Sequence, residues 1–142
     1  MIISDVLTKV EGSDTEEIRA LYAQLSESGI QPDDASIESA IRDRNTVVIV
    51  LREDTTIIGM GTVVLVRVMS GVKARLEDIV VDEGYRGQGL GERITNELIE
   101  TARSYKVSVI ELTSKPERVA ANALYQKVGF EKKDTNTYVL RV

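Results

Sequence analysis

The chain predicts a mixed α/β sandwich, and three observations carry that expectation. Its candidate elements run strand, two helices, three antiparallel strands, helix, strand, helix and closing strands. A simple dinucleotide-binding unit would instead alternate strands and helices from its first glycine turn. The glycine-rich stretch Arg86-Gly87-Gln88-Gly89-Leu90-Gly91 falls mid-chain, behind the antiparallel meander. The helix after it carries Leu90, Ile94, Leu98 and Ile99 at the i, i+4, i+8 spacing of a buried face.

In order, Met1 to Val10 reads as a first strand. Ser13-Asp14-Thr15-Glu16 has the Ser-x-x-Glu form of a capping box and opens a helix whose Ile18, Leu21, Tyr22 and Leu25 share a face, ending near Gly29. Pro32, Asp33 and Asp34 start a second helix with Ile37 and Ile41 four apart, and the Asp pair either caps it or meets a cationic amine. The loop from Ser28 to Asp34 is the expected mobile piece. Thr46 to Leu51 is rich in β-branched residues and reads as a strand. Thr56 to Met69 is a longer strand, with a bend or bulge expected at Gly59 and Gly61. Val72 to Val81 returns antiparallel after the Ser70-Gly71 turn. Beyond the glycine helix, which ends around Tyr105, Val107 to Leu112 alternates as a strand parallel to the one before that helix. A short helix fits Val119 to Val128 with Gly129 as its C-cap, and Phe130 to Lys133 with Thr137 to Val142 suggest a closing hairpin.

Composition narrows the chemistry. At 142 residues the whole chain, 1–142, is expected to form one domain burying about two thirds of its unfolded surface. No run reaches the ~18 apolar residues of a membrane span, and the N-terminus lacks signal-peptide order, so a cytoplasmic protein with no membrane partner is expected. Without cysteine there is no disulfide, thiolate catalysis or zinc–sulfur site. Without histidine the usual neutral-pH base and the commonest metal ligand are also missing, so no metal is expected. Acid–base work falls to carboxylates, tyrosine, lysine or water. A net charge of −5 argues against nucleic acid as a main partner.

Strand, glycine loop and helix start together build a site for a phosphate. Loop amides turn inward there, and the first helical N–H groups have no partner in their own helix. Glycine lets the backbone approach the anion and take positive φ. No Lys-Ser or Lys-Thr follows the glycines, which excludes a P-loop, and the spacing is not that of a dinucleotide fingerprint.

Two motifs resemble those of the GNAT acetyltransferase superfamily. Arg86 to Gly91, after Leu76-Glu77-Asp78-Ile79-Val80-Val81, is similar to its acetyl-CoA signature, Arg/Gln-x-x-Gly-x-Gly/Ala. Ala120 to Phe130, with Tyr125 and Gly129-Phe130, resembles its second motif, Ala-x-x-x-Tyr-x-x-x-Gly-Phe. The likeness covers Thr56 to Val142; before that it rests on element order. It implies a mostly antiparallel sheet, splayed between its fourth and fifth strands, with helices on both faces. Pantetheine would enter the gap like an added strand on the main chain of Ile79, Val80 and Val81. The pyrophosphate would sit on the amides of Arg86, Gly87, Gln88, Gly89, Leu90 and Gly91. The Arg86 side chain either adds charge or snorkels over the loop. Asn122 either bonds the pantetheine arm or stays a helix-surface residue.

The same resemblance implies an acetyl-CoA-dependent N-acetyltransferase acting on a primary amine, by direct transfer through a tetrahedral intermediate. Tyr125 matches the family's general acid, protonated at neutral pH; the plainer role is packing beside Phe130. Glu77 is the first candidate base, acting directly or through water, and its plainer role is an ion pair with Arg75 or Lys73. Asp78 is the runner-up and Glu111, across the gap, the third. As strand neighbours, Glu77 and Asp78 are expected on opposite faces, so only one can meet the acceptor. Tyr22 could line that pocket or pack in the core, and Arg118 could meet a CoA phosphate or solvent. The acceptor, a small amine or amino sugar or a peptide amine, is left open. Relatives are often dimers, so a homodimer is among the arrangements implied. The competing functions are a non-catalytic acyl-CoA-binding module and a nucleotide-binding domain.

Overall fold

The computed structural model describes residues 1–26 and 28–142. Five strands form one sheet in sequence order: β1 (Ile2–Val6), β2 (Thr46–Glu53), β3 (Thr56–Val68), β4 (Gly71–Val81) and β5 (Ile110–Glu111). Neighbours from β1 to β4 are antiparallel, and β4 with β5 is parallel. The helices are α1 (Asp14–Leu25), α2 (Asp34–Arg42), α3 (Leu90–Ser104) and α4 (Val119–Lys127). None of the helices is long and apolar enough to cross a membrane.

Both faces of the sheet are covered, which explains the unbroken apolar run of β2. Val48 and Val50 point to one face, where they bury with Leu7, Ile57, Met60 and Val80 under Ile18 and Leu21 of α1 and Ile37 of α2. Ile49 and Leu51 point to the other, packing with Ile58, Val63, Leu65, Ala74 and Leu76 against Leu90, Ile94, Leu98, Ile99 and Ala102 of α3. The helical spacing of the α3 residues is thus a core stripe, as expected. Gly61 belongs to that contact: a Cβ there would stand 2.5 Å from Cδ1 of Leu98. Thr95, fully buried on α3, donates its hydroxyl to the Gly91 carbonyl at 2.7 Å and so needs no partner elsewhere.

Two local expectations change. The capping box does not close: Ser13 makes no side-chain cap, and its hydroxyl donates to Glu17 Oε1 at 2.7 Å. Asp14 instead accepts the Glu11 amide at 3.0 Å and the Arg52 guanidinium at 2.9 and 3.2 Å. That buried charge pair holds the Asp14 carboxyl below the usual carboxylate range, the hydrogen bond from Arg52 being the main cause. Asp33, by contrast, caps α2 as anticipated, accepting the Ser36 amide at 2.8 Å. The closing hairpin does not form. Residues 130–142 contain no strand, and Tyr138, Val139 and Leu140 are exposed. The physical reason is the shortness of β5, because a hairpin with no ladder to join is marginal in water. The irregularity expected at Gly59 and Gly61 is present: the β2–β3 register slips at Ile58, beside Gly59, and the β3–β4 register slips opposite Gly61, as described next.

Candidate active site

β4 and β5 part. They pair at Ala74↔Ile110 and Arg75↔Glu111, and the nearby bonds Ala74 N–H to Val109 O (3.0 Å) and Ser108 N–H to Val72 O (2.9 Å) lie at the same end. From Leu76 to Val81, β4 has β3 on one side and no strand on the other. Ile79 and Val81 are half-buried and Val80 is buried, so the sequence's candidate strand edge lies where the ladder opens.

The chain then turns through Glu83–Tyr85, a single 3-10 turn whose Asp82 cap accepts the Gly84 amide at 3.0 Å. Gly87 and Gly89 follow with φ of +80° and +78°, and a Cβ at either would meet no atom within 4 Å. Their requirement is torsional, and it leaves one side of the loop open. Gly91 differs: its Cβ would stand 3.3 Å from Leu124 of α4, so it is a packing glycine. Among the described residues, the amides of Gly87 to Gly91 donate to no main-chain carbonyl, while the Arg86 amide turns back to Glu83 at 3.5 Å. Gln88 is exposed and Leu90 buried, anchoring the loop to the core. The Arg86 side chain lies over the strand end, Nε donating to Val81 O at 3.2 Å and Nη2 to Gln24 Oε1 at 3.5 Å.

α4 abuts the start of α3 through the Leu124–Gly91 contact and a Lys127–Glu92 ion pair of 2.8 Å. Tyr125 on α4 is buried, edge-on to Phe130 with centroids 6.1 Å apart. Burial raises its phenol above the ordinary value, against the pull of Arg118. Asn122 donates to the Lys115 carbonyl at 2.9 Å, fixing the loop before α4. Its carbonyl oxygen is the part left for a ligand.

The carboxylates depart from the sequence expectation. Met60 pairs with Val80 and Thr62 with Glu77, so Gly61 opposes both Asp78 and Ile79. Asp78 absorbs the extra residue at φ +56°. Asp78 and Glu77 therefore do not simply alternate: both act electrostatically on Tyr22 of α1, and Glu77 acts on Asp78. Burial first, then the Glu77 charge, pushes the Asp78 carboxyl up. The Tyr22 phenol is raised by burial and then by the same two carboxylates. Glu77 meets Arg75 at 2.9 Å, its plainer role, and Glu111 meets Lys73 at 3.6 Å.

Two features escaped sequence reasoning. One is that Asp78 absorbs the extra residue of the bulge, for which the adjacent carboxylates gave no marker. The other is Gln24 on α1, joined to Asp82 and Glu83 across a long stretch of sequence. A cavity of about 510 Å³ lies elsewhere, lined by Val6, Thr46, Val48, Glu100 and Tyr105 near the far end of α3. It touches none of the candidate residues.

The model of the acetyltransferase (GNAT) family matches residues 14–130. Rice glucosamine 6-phosphate N-acetyltransferase 1 is 38% identical over 64 residues, 45% of this chain and 37% of that protein. The N-alpha-acetyltransferase RimI of Mycobacterium tuberculosis is 41% identical over 54 residues, 38% of this chain and 32% of that protein. The matched segments thus span about a third of these curated relatives. The solved glucosamine-6-phosphate N-acetyltransferase of Arabidopsis thaliana superposes with a TM-score of 0.80 at 24% identity, covering 99% of this chain and 98% of its own. At that identity, the superposition shows the shared fold.

Proposed function

The chain belongs to the GNAT acetyltransferase family, and from that premise we propose that it moves the acetyl group of acetyl-CoA directly to a primary amine. The observation that carries this reading is the parted β4–β5 ladder running straight into the open amides of Gly87 to Gly91. An extended, anionic co-substrate fits that pairing: strand edge for the amide-bearing arm, helix start for the diphosphate. The thioester is what acetyl-CoA supplies; a C–N bond forms and the C–S bond breaks.

The chain's own residues supply the proton traffic. Tyr125 holds a proton at its buried hydroxyl for the departing sulfur, and its raised pKa keeps that proton in place at neutral pH. The amine must lose a proton, and Asp78 is the better acceptor than Glu77. Among the described residues it has no ion-pair partner, and it is held at a fixed backbone angle and shifted towards the working range of a base. Glu77 is tied to Arg75 and half-exposed, so it serves to raise Asp78 by its charge. Tyr22 forms the opposite wall on α1, placing the amine between α1 and β4.

The test is an amine panel in which CoA release is followed with a thiol reagent, since this chain has no cysteine to add background. Glucosamine 6-phosphate, the substrate in the names of two similar proteins, and an N-terminal peptide amine belong in that panel. Amine-dependent thiol release supports the reading. CoA binding without turnover on any amine points instead to a non-catalytic acyl-CoA-binding module, and absence of CoA binding removes the reading altogether.

A further inference from the structure

The turn that launches the glycine loop does not stand alone. Gln24, near the C-terminal end of α1, donates from Nε2 to Asp82 Oδ1 at 2.8 Å. Its Oε1 accepts the Glu83 amide at 2.9 Å and lies 3.5 Å from Arg86 Nη2. Asp82 uses its other oxygen to cap the 3-10 turn at Gly84 and sends its own amide to Ile58 O at 2.8 Å. Arg86 then reaches Val81 O. One side-chain amide thus satisfies a carboxylate, a main-chain N–H and a guanidinium, all within the segment between the open strand edge and the loop.

We propose that Gln24 is a positioning residue for the cofactor loop, docking Asp82, Glu83 and Arg86 onto α1 so that Gly87 to Gly91 are presented to the CoA diphosphate. The inference rests on the acetyl-CoA reading above. Loops lose entropy when they order around a ligand, and a loop already fixed at its root loses less. Only glutamine suits the position, because the site needs a donor facing Asp82 and an acceptor facing Glu83 N–H. Its neighbour two residues back, Tyr22, faces the carboxylates, so the same helix end touches both halves of the site.

Isothermal titration of the full chain with CoA alone tests this without knowing the acceptor. Gln24→Ala should weaken CoA binding about ten-fold, because the loop root loses both its donor to the Asp82 carboxylate and its acceptor for the Glu83 N–H. Gln24→Glu turns a carboxylate towards Asp82 and should weaken it at least as much. Combining Gln24→Glu with Asp82→Asn restores complementary donor and acceptor and should return the affinity to within about two-fold of wild type. A purely structural role would lower the melting temperature of the free single variants and leave CoA affinity unchanged. Unchanged affinity in both single variants, or no recovery in the double variant, overturns the inference alone. A wild-type chain that binds no CoA overturns the acetyl-transfer reading with it.

Discussion

Asp78 and Gly61 face each other across the β3–β4 ladder at the point where its register slips. Gly61 gives Leu98 room on one face, and opposite it Asp78 takes the left-handed backbone that strand residues avoid. A carboxylate held at unusual φ, partly buried and crowded by a second carboxylate fits the proton-accepting role proposed for Asp78.

Asp78→Asn should keep the bulge, since asparagine tolerates positive φ, and should lower kcat by about 10²- to 10⁴-fold. Glu77→Gln should cost about five-fold or less, because an exposed pair such as Arg75–Glu77 is worth under ~1 kcal/mol. Steady-state kinetics on the best amine of the panel decide between them. In wild type, kcat/KM should rise with pH through a value above the ordinary aspartate pKa of ~3.9.

The same substitution should stabilise the protein. A carboxyl whose folded pKa is raised weakens the fold at every pH above that value, and the penalty fades as pH falls below the unfolded one. Asp78→Asn should therefore melt higher than wild type at pH 7, with the gain vanishing near pH 3. Asp14 runs the other way. Its depressed pKa gives stability present above about pH 4 that is lost as pH falls, so Asp14→Asn should melt lower at pH 7 and converge on wild type in acid. Thermal melts across pH measure both.

Tyr125→Phe should remove about 10²-fold or more of kcat while leaving the melting temperature and CoA affinity close to wild type. The ring contact with Phe130 survives the change, and no hydrogen bond among the described residues holds the hydroxyl. A loss of affinity equal to the loss of rate would mark Tyr125 as a binding residue instead.

Gly61→Ala should destabilise by about 1–3 kcal/mol, because the added methyl falls 2.5 Å from a fully buried leucine. Adding Leu98→Val should recover part of that loss by making space. Chemical denaturation of both variants provides the measurement.

Much of this was legible beforehand. The order of elements, the α3 stripe at Leu90, Ile94 and Leu98, and the glycine loop with its two left-handed residues follow from periodicity and from what only glycine can do. Gly61 marks the slip between β3 and β4, but the residue that takes it up, Asp78, does not follow, because no glycine or proline marks that position on β4. The Gln24 dock is a contact between residues far apart in sequence, invisible to any local pattern. The hairpin expected after Phe130 looked sound locally, but a strand needs a neighbour, and β5 is too short to offer one.

The sheet also acts as a partition. The apolar cluster beneath α1 and α2 and the one beneath α3 share no residue. Substitutions buried on opposite sides should add in free energy with little epistasis. On the proposed reading, a directed-evolution library confined to Tyr22, Ile37 and their neighbours should retune amine preference while the half under α3 drifts hardly at all. Gln24 is the position such a library should leave untouched.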